Sequence, residues 1–301
     1  MRITSNMIAA QQMTALQTNV SLLQQAQARL SSGKKLNAAS DNPASAMSVM
    51  EAGSALRALE QYRTNVSRAS DRIDLEDRVL SQLGDLISRA KELAVSQAGD
   101  NANDQTRTAV NAEVQQLFHQ IVDLGNTKFA GEFLFGGEQT ATTPFTDSGS
   151  GATLDYSTSN PQGQRSIGIG EGQTIAPTHD GTQVFLDTGV LDAVKDLARS
   201  LDPASGTYGK AGISAAMTKL DAAFNSVQAV VGDTGALGNR LAIVGQNLDA
   251  LKGNVTAFKS DLEDIDVETA MTELTNRQVA YQAALLATSK VTSLNLSDYL
   301  K

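Results

Sequence analysis

The residues that could do chemistry in this chain are few. His119 follows Phe118 in a helical stretch, and His179 lies in a Pro- and Gly-rich region. With 0 Cys and 2 His in the chain, thiolate metal sites, iron–sulfur clusters, disulfides and Cys nucleophiles are excluded. Neither His sits in a metal-binding spacing, so both read as ordinary surface or core residues. His179-Asp180 is the one pair that could belong to a Ser/His/Asp set. Adjacent residues in a strand point to opposite faces, which argues against it. Gly168-Ile169-Gly170-Glu171-Gly172 has the look of a phosphate loop, but no Gly-Lys-Ser/Thr follows, so a turn or bulge is expected. Asp261, Glu263, Asp264, Asp266 and Glu268 form an acidic cluster. A calcium loop would need a central Gly, which is missing, so the cluster reads as a solvated helix start favoured by the macrodipole. No cofactor and no catalytic residue is expected.

The composition points the same way. The 301 residues carry 24 Lys+Arg and 33 Asp+Glu, a net charge of −9, with a pI near 4.8. That balance argues against a nucleic-acid partner, which needs a basic face. No run approaches the length of a membrane span, and the N-terminus lacks the apolar core of a cleaved signal peptide. Aromatics are only 4% of a chain that is 41% hydrophobic, so its apolar surface is mostly aliphatic. Such side chains suit helix-on-helix seams better than an aromatic pocket.

Those seams are the strongest pattern in the sequence. Ala9, Met13, Leu16, Val20, Leu23, Gln27 and Leu30 alternate spacings of four and three, a heptad row broken by one Gln. Gly33 can end this first helix. Asp41 or Asn42 can then cap a second that starts at Pro43 and runs to about Ala98, with Glu76 in its own seam. At ~1.5 Å per residue that helix is on the order of 80 Å long. A third helix follows the turn at Gly99–Asn103. From Asn126 the pattern changes. Lys128–Gly137 reads as a tight hairpin or an extended strand, and residues 139–188 hold 15 Ser/Thr, three of the five Pro and only six charges. Alternation at Ala152–Tyr156, Gln164–Ile169 and Thr182–Leu186 predicts short antiparallel strands. Helices return at Val190–Leu201, Ile213–Val231, Leu237–Glu263 and from Asp264 onward. The last carries a matching seam of Val267, Met271, Leu274, Gln278, Tyr281, Leu285 and Thr288.

The expected fold is mainly α with a β insertion: a long antiparallel helical rod or coiled coil built from both chain ends, plus a small β domain. Its parts are a terminal coiled-coil assembly domain (1–42 with 264–301), a helical rod domain (43–138 with 189–263) and a β-rich outer domain (139–188). The outer domain is expected to be removable without loss of the helical part, and the termini to order only on assembly. A seam can be closed intramolecular core, or it can wait for a partner when apolar residues remain exposed beside it.

The stretch Leu30-Ser31-Ser32-Gly33-Lys34-Lys35-Leu36-Asn37-Ala38-Ala39-Ser40-Asp41-Asn42-Pro43-Ala44 resembles the hallmark of the flagellin superfamily. Three further stretches resemble its hook–filament junction branch: Met1-Arg2-Ile3-Thr4, then Gly131–Gly137 with Thr143-Pro144-Phe145, and the end Leu294–Leu300. Asn42 stands where many relatives carry a second Asp, and Asn caps a helix equally well. The resemblance implies a structural, self-assembling protein of the extracellular bacterial flagellum, secreted by type III export without cleavage. Its partners would be its own copies, the hook-associated protein FlgK, flagellin and an export chaperone of the FlgN type, with no nucleic acid or membrane. The implied assembly interface is Met13, Leu16, Val20, Leu23, Leu30, Met271, Leu274, Tyr281, Leu285, Leu294, Leu296 and Leu300. A flagellin-type filament subunit is the nearest alternative, and a cytoplasmic coiled-coil scaffold or an enzyme the more distant ones.

Overall fold

The structure, a computed structural model, describes residues 5–99 and 102–299. The chain is mainly α with a β insertion. In order come α1 (Ser5–Ser32), α2 (Pro43–Ala98) and α3 (Asp104–Gly125). The hairpin strands are β1 (Lys128–Phe129), β2 (Glu132–Phe133), β3 (Phe145–Ser148), β4 (Asp155–Thr158), β5 (Ile167–Gly170) and β6 (Gln173–Ile175). Then follow α4 (Val190–Leu201), α5 (Lys210–Glu263) and α6 (Val267–Tyr299). Two compact units result: a terminal unit of residues 1–58 with 250–301, and a body of residues 59–249. The division falls inside α2 and α5, whereas the helix breaks at 42/43 and 263/264 mark the boundaries read from the sequence.

Local chemistry explains the helix ends. Asn42, not Asp41, caps α2: its Oδ1 accepts the Ser45 N–H at 3.2 Å, with Pro43 filling the first helical position. Asp41 instead accepts the N–H groups of Asn37 and Ala38, each at 3.1 Å, and these bonds hold its carboxyl below the usual range. Asn103 and Thr106 form a reciprocal capping box at the start of α3. The expected break between Val231 and Leu237 is absent, since α5 runs unbroken through Gly232, Gly235 and Gly238. Each Gly weakens a helix by about 1 kcal/mol. Buried Thr234 sits among them, its hydroxyl bonded to the Val230 carbonyl oxygen at 2.9 Å.

The β segment is small and antiparallel, as expected. Its strands make three separate two-stranded hairpins, not one sheet, and they share their core with helices. Phe135, Phe145, Leu154, Val184 and Phe185 are buried in one cluster with Leu80, Leu83 and Ile87 of α2, Phe118 and Ile121 of α3, Leu197 of α4 and Leu220 of α5. The Phe185 ring lies 5.2 Å from both Phe135 and Phe145. Asn126 brackets the Phe145 backbone, donating to its carbonyl oxygen at 2.8 Å and accepting its N–H at 3.1 Å. A Cβ on Gly125 would come within 2.6 Å of that ring, so only Gly lets Phe145 pack against the end of α3. Thr182–Leu186 is a π-helical turn and not a strand, which lets neighbouring Val184 and Phe185 both point inward. Removing residues 139–188 would therefore strip side chains from the helical core, which overturns the expectation that the insertion is dispensable.

The β5–β6 hairpin closes a second, smaller cluster. Ile169 and Ile175 pack with Val66, Ala69 and Ile73 of α2 and with Leu241 and Leu248 of α5. Asn65 donates to the Gly168 carbonyl oxygen at 2.7 Å. The Gly-rich stretch that looked like a phosphate loop is this hairpin's bulge and turn, with the register shift between Gly168 and Gly170 and Gly172 at φ 66°.

Candidate assembly interface

The terminal unit is built on the pairing of α1 with α6. The connections that follow α1 and precede α6 are tied together. Gly33, at φ 70°, turns the chain out of α1 and accepts the Ile265 N–H at 3.1 Å, while the Lys35 N–H donates to the Glu263 carbonyl oxygen at 2.6 Å. Lys34 forms an ion pair with Glu263, which also lies 3.6 Å from Lys259. The bond to Glu263 raises the Lys34 pKa. The hallmark stretch thus works as a clasp, with Lys34 and Asp264 in antiparallel bridging positions. Of the rest of the acidic cluster, Asp266 caps α6, accepting the Glu268 N–H at 3.0 Å and the Thr269 hydroxyl at 2.8 Å.

The clasp sets α1 and α6 antiparallel. Equal helical rises away from it bring Leu23 about level with Leu274 and Leu16 about level with Tyr281. Burial along the two helices reveals which rows pack. On α1 the sheltered positions are Gln12, Leu16, Asn19, Val20, Leu22, Leu23, Ala26, Arg29 and Leu30, with Ala26 only 5% exposed. On α6 they are Ala270, Glu273, Leu274, Arg277, Tyr281, Ala284 and Thr288. One half of each expected seam, Leu16-Leu23-Leu30 and Leu274-Tyr281-Thr288, is therefore turned inward. The other half is displaced by one residue on α6, where 270-277-284 is sheltered and 271-278-285 exposed, and at two of three levels on α1, where Gln12 and Ala26 are sheltered while Met13 and Gln27 are exposed, with Asn19 and Val20 sheltered alike. Small residues at Ala26, Ala270 and Ala284 let the two helix axes approach. Three bulkier neighbours are left outside: Met13 and Met271 are exposed, the latter at 56%, and Leu285 is exposed at 41%, whereas Val20 is half-buried like Leu16 and Leu23. Val267, Val279 and Leu286 add to this outer apolar surface, Leu286 at 70% exposure. Sequence reasoning missed Leu286 and Val279, which lie in neither heptad row. The side chains of Leu294 and Leu296, and all of Leu300, lie outside the described residues.

Charge divides between the units. The terminal unit carries 10 Lys+Arg and 9 Asp+Glu, a net +1, whereas the body carries 14 and 24, a net −10. The histidines both lie in the body, each against one carboxylate. His119 pairs with Asp147. His179 meets fully buried Glu76 twice, through Nδ1 at 2.7 Å and its backbone N–H at 3.2 Å to the same Oε1. That bond to Glu76 raises the His179 pKa against the opposing effect of burial. Among the described residues no cluster of three or more metal-ligating side chains occurs, and no helix is long and apolar enough to cross a membrane.

An antiparallel pair of terminal helices, clasped at one end and apolar on its outer rows, defines a structural helical protein whose ends bear the candidate binding surface. The profile of the bacterial flagellin N-terminal helical region matches residues 3–140, and that of the C-terminal helical region matches residues 217–300. The chain belongs to the flagellin family and is a structural component of the bacterial flagellum. It is 28% identical over 317 aligned residues to flagellin of Bacillus subtilis, and 26% identical over 328 to flagellar hook-associated protein 3 of Escherichia coli, covering 100% of both chains each time. Its fold is similar to that of hook-associated protein 3 of Legionella pneumophila, at TM-score 0.63 and 14% identity, covering 71% of this chain and 98% of that one. It is likewise similar to FlgL of Bacillus cereus, at TM-score 0.57 and 16% identity, covering 70% and 99%.

Proposed function

We propose that this protein forms the junction between hook and filament, self-assembling through the outer apolar row of its terminal unit. The observation that carries this reading is the row itself: Met13, Met271, Leu285 and Leu286 stand exposed beside a seam that is already closed within the chain. Large apolar side chains kept in water on a helix pair mark a surface to be covered. The near-zero net charge of the terminal unit supports it, since copies can approach there without the repulsion of the acidic body.

On this reading Leu16, Leu23, Leu30, Leu274 and Tyr281 hold the helix pair together. Met13, Val20, Met271 and Leu285, with Leu294, Leu296 and Leu300, meet neighbouring subunits. The partners are further copies, a hook-associated protein of the FlgK type on one side and flagellin on the other, with a FlgN-type chaperone before export. The protein is exported uncleaved to the cell exterior and performs no catalysis. The terminal assembly part is residues 1–42 with 264–301.

The experiment is deletion of the gene. Cells with hooks, no filaments and flagellin shed into the medium are the expected result, and normal filaments would refute the junction role. A filament-subunit reading is favoured by the full-length likeness to Bacillus subtilis flagellin. It predicts instead that the protein is the bulk component of purified filaments.

A further inference from the structure

The methionines are placed unusually. Methionine is among the more often buried residues of folded proteins, yet five of the six described here are exposed: Met7, Met13, Met47, Met50 and Met271. All five belong to the terminal unit, and Met50 reaches 72% exposure. The sixth, Met217 of the body, is partly buried against the main core. Met13 and Met271 occupy the outer rows of α1 and α6 described above. Met47 and Met50 stand three residues apart, on one side of the first turns of α2. With no Cys and no Trp in the chain, these thioethers are its softest nucleophiles toward oxygen-transfer reagents.

We propose that Met7, Met13, Met47, Met50 and Met271 form a set of oxidation sites through which peroxide-class oxidants block assembly while leaving the body folded. The reaction needs only the thioether and the oxidant. Sulfur attacks one peroxide oxygen, the O–O bond breaks, and that oxygen stays on sulfur as the sulfoxide. The other oxygen leaves as water after proton transfer, so sulfur loses the two electrons the peroxide gains. The product is a strong hydrogen-bond acceptor on a side chain that was apolar. On the exposed helix face water solvates it at no cost. Covered by a neighbouring subunit it is a buried acceptor without a donor, which opposes association. Met217, partly buried against the core, reacts more slowly, so the body stays intact at doses that modify the terminal unit.

This inference rests on the proposed assembly role of the terminal unit, and its test separates the two. Purified full-length protein is treated with hydrogen peroxide, mapped by peptide mass spectrometry, and added to cells of the deletion strain, with filament regrowth as the readout. The expected result is that the five exposed methionines gain one oxygen each before Met217 does. Filament regrowth then falls at least tenfold, circular dichroism of the body is unchanged, and methionine sulfoxide reductase with dithiothreitol restores regrowth. In a variant with all five replaced by Leu, whatever regrowth is supported before peroxide should be retained after it. Oxidised protein that restores filaments as well as untreated protein would overturn the switch and leave the junction role standing. So would a Leu variant that peroxide still inactivates. Untreated protein that restores nothing would sink both.

Discussion

Replacing Leu286 by Asp should abolish assembly and leave the monomer unchanged. Leu286 is 70% exposed on α6, so a carboxylate there is hydrated in the free protein and strains nothing. Full burial of a Leu side chain contributes about 1.5–3 kcal/mol, so covering the exposed part contributes about 1–2 kcal/mol to subunit contact. Leu286→Asp removes that and adds the desolvation of an unpaired carboxylate, a further several kcal/mol. A combined loss of about 4 kcal/mol corresponds to roughly a thousandfold weaker association. The control is Tyr281→Asp, one turn earlier but turned toward α1 and half-buried. There the charge opposes the α1–α6 pair itself, so limited proteolysis should release both terminal segments even from the monomer. The assay pairs thermal unfolding by circular dichroism and proteolytic mapping with motility of a complemented deletion strain. If Leu286→Asp swims like wild type, the outer row is not an assembly surface. If it unfolds or frays the terminal helices as Tyr281→Asp does, the division into an inner and an outer row is wrong.

Phe185→Ala should destabilise the body by about 3–5 kcal/mol, since a fully buried ring in contact with two other Phe is lost. Chemical denaturation measures it, and a change under 1 kcal/mol would mean the hairpins do not share the helical core. The His179 pKa is raised by Glu76, so charged His179 stabilises the fold fully below its usual value of 6.5, and the contribution fades as pH rises through the higher folded value. Wild type should therefore lose Tm relative to His179→Gln as pH rises above 6.5, and parallel pH profiles would contradict the pairing. The −10 body should oppose crowding of subunits at low ionic strength. Raising salt from 0.01 to 0.15 M shortens the Debye length from about 30 to about 8 Å, so incorporation onto hooks should increase, and a decrease would point to charge-paired contacts instead.

Much of the fold is legible because long helices announce themselves by periodicity and end chemistry. Pro43 with Asn42, Gly33 and the Asn103–Thr106 box each mark a boundary through one identifiable hydrogen bond or φ angle. Residues 210–263 are harder to read, because Gly232, Gly235 and Gly238 weaken helix propensity without preventing it. Tertiary packing of Ile213, Leu220, Val227, Leu241 and Leu248 along the same helix outweighs them. The burial of the β segment is not legible for a related reason. Its composition is polar and turn-rich, yet a few residues, Phe145, Leu154, Val184 and Phe185, carry its burial. Composition averages them away, and nothing local signals that their partners lie on helices far off in sequence.

The terminal helices expose a different limit. A helix that packs once needs a two-column apolar stripe, and a heptad count recovers it. A helix that packs within its own chain and is then covered by a second surface needs three columns, and adjacent pairs of columns both satisfy alternating steps of three and four. On α1, Leu16-Leu23-Leu30 pairs equally well by spacing with Met13-Val20 or with Asn19-Ala26. Hydrophobicity selects the first pairing, but burial is divided: Ala26 is buried and Met13 exposed, while Asn19 and Val20 are sheltered alike, and small Ala26, Ala270 and Ala284 suit a closer approach of helices than Met or Leu would. The two apolar criteria, small for close approach and large for later cover, thus separate onto neighbouring columns. Residues that look misplaced against one seam, such as Leu286 and Val279, are then the ones most informative about the next interface.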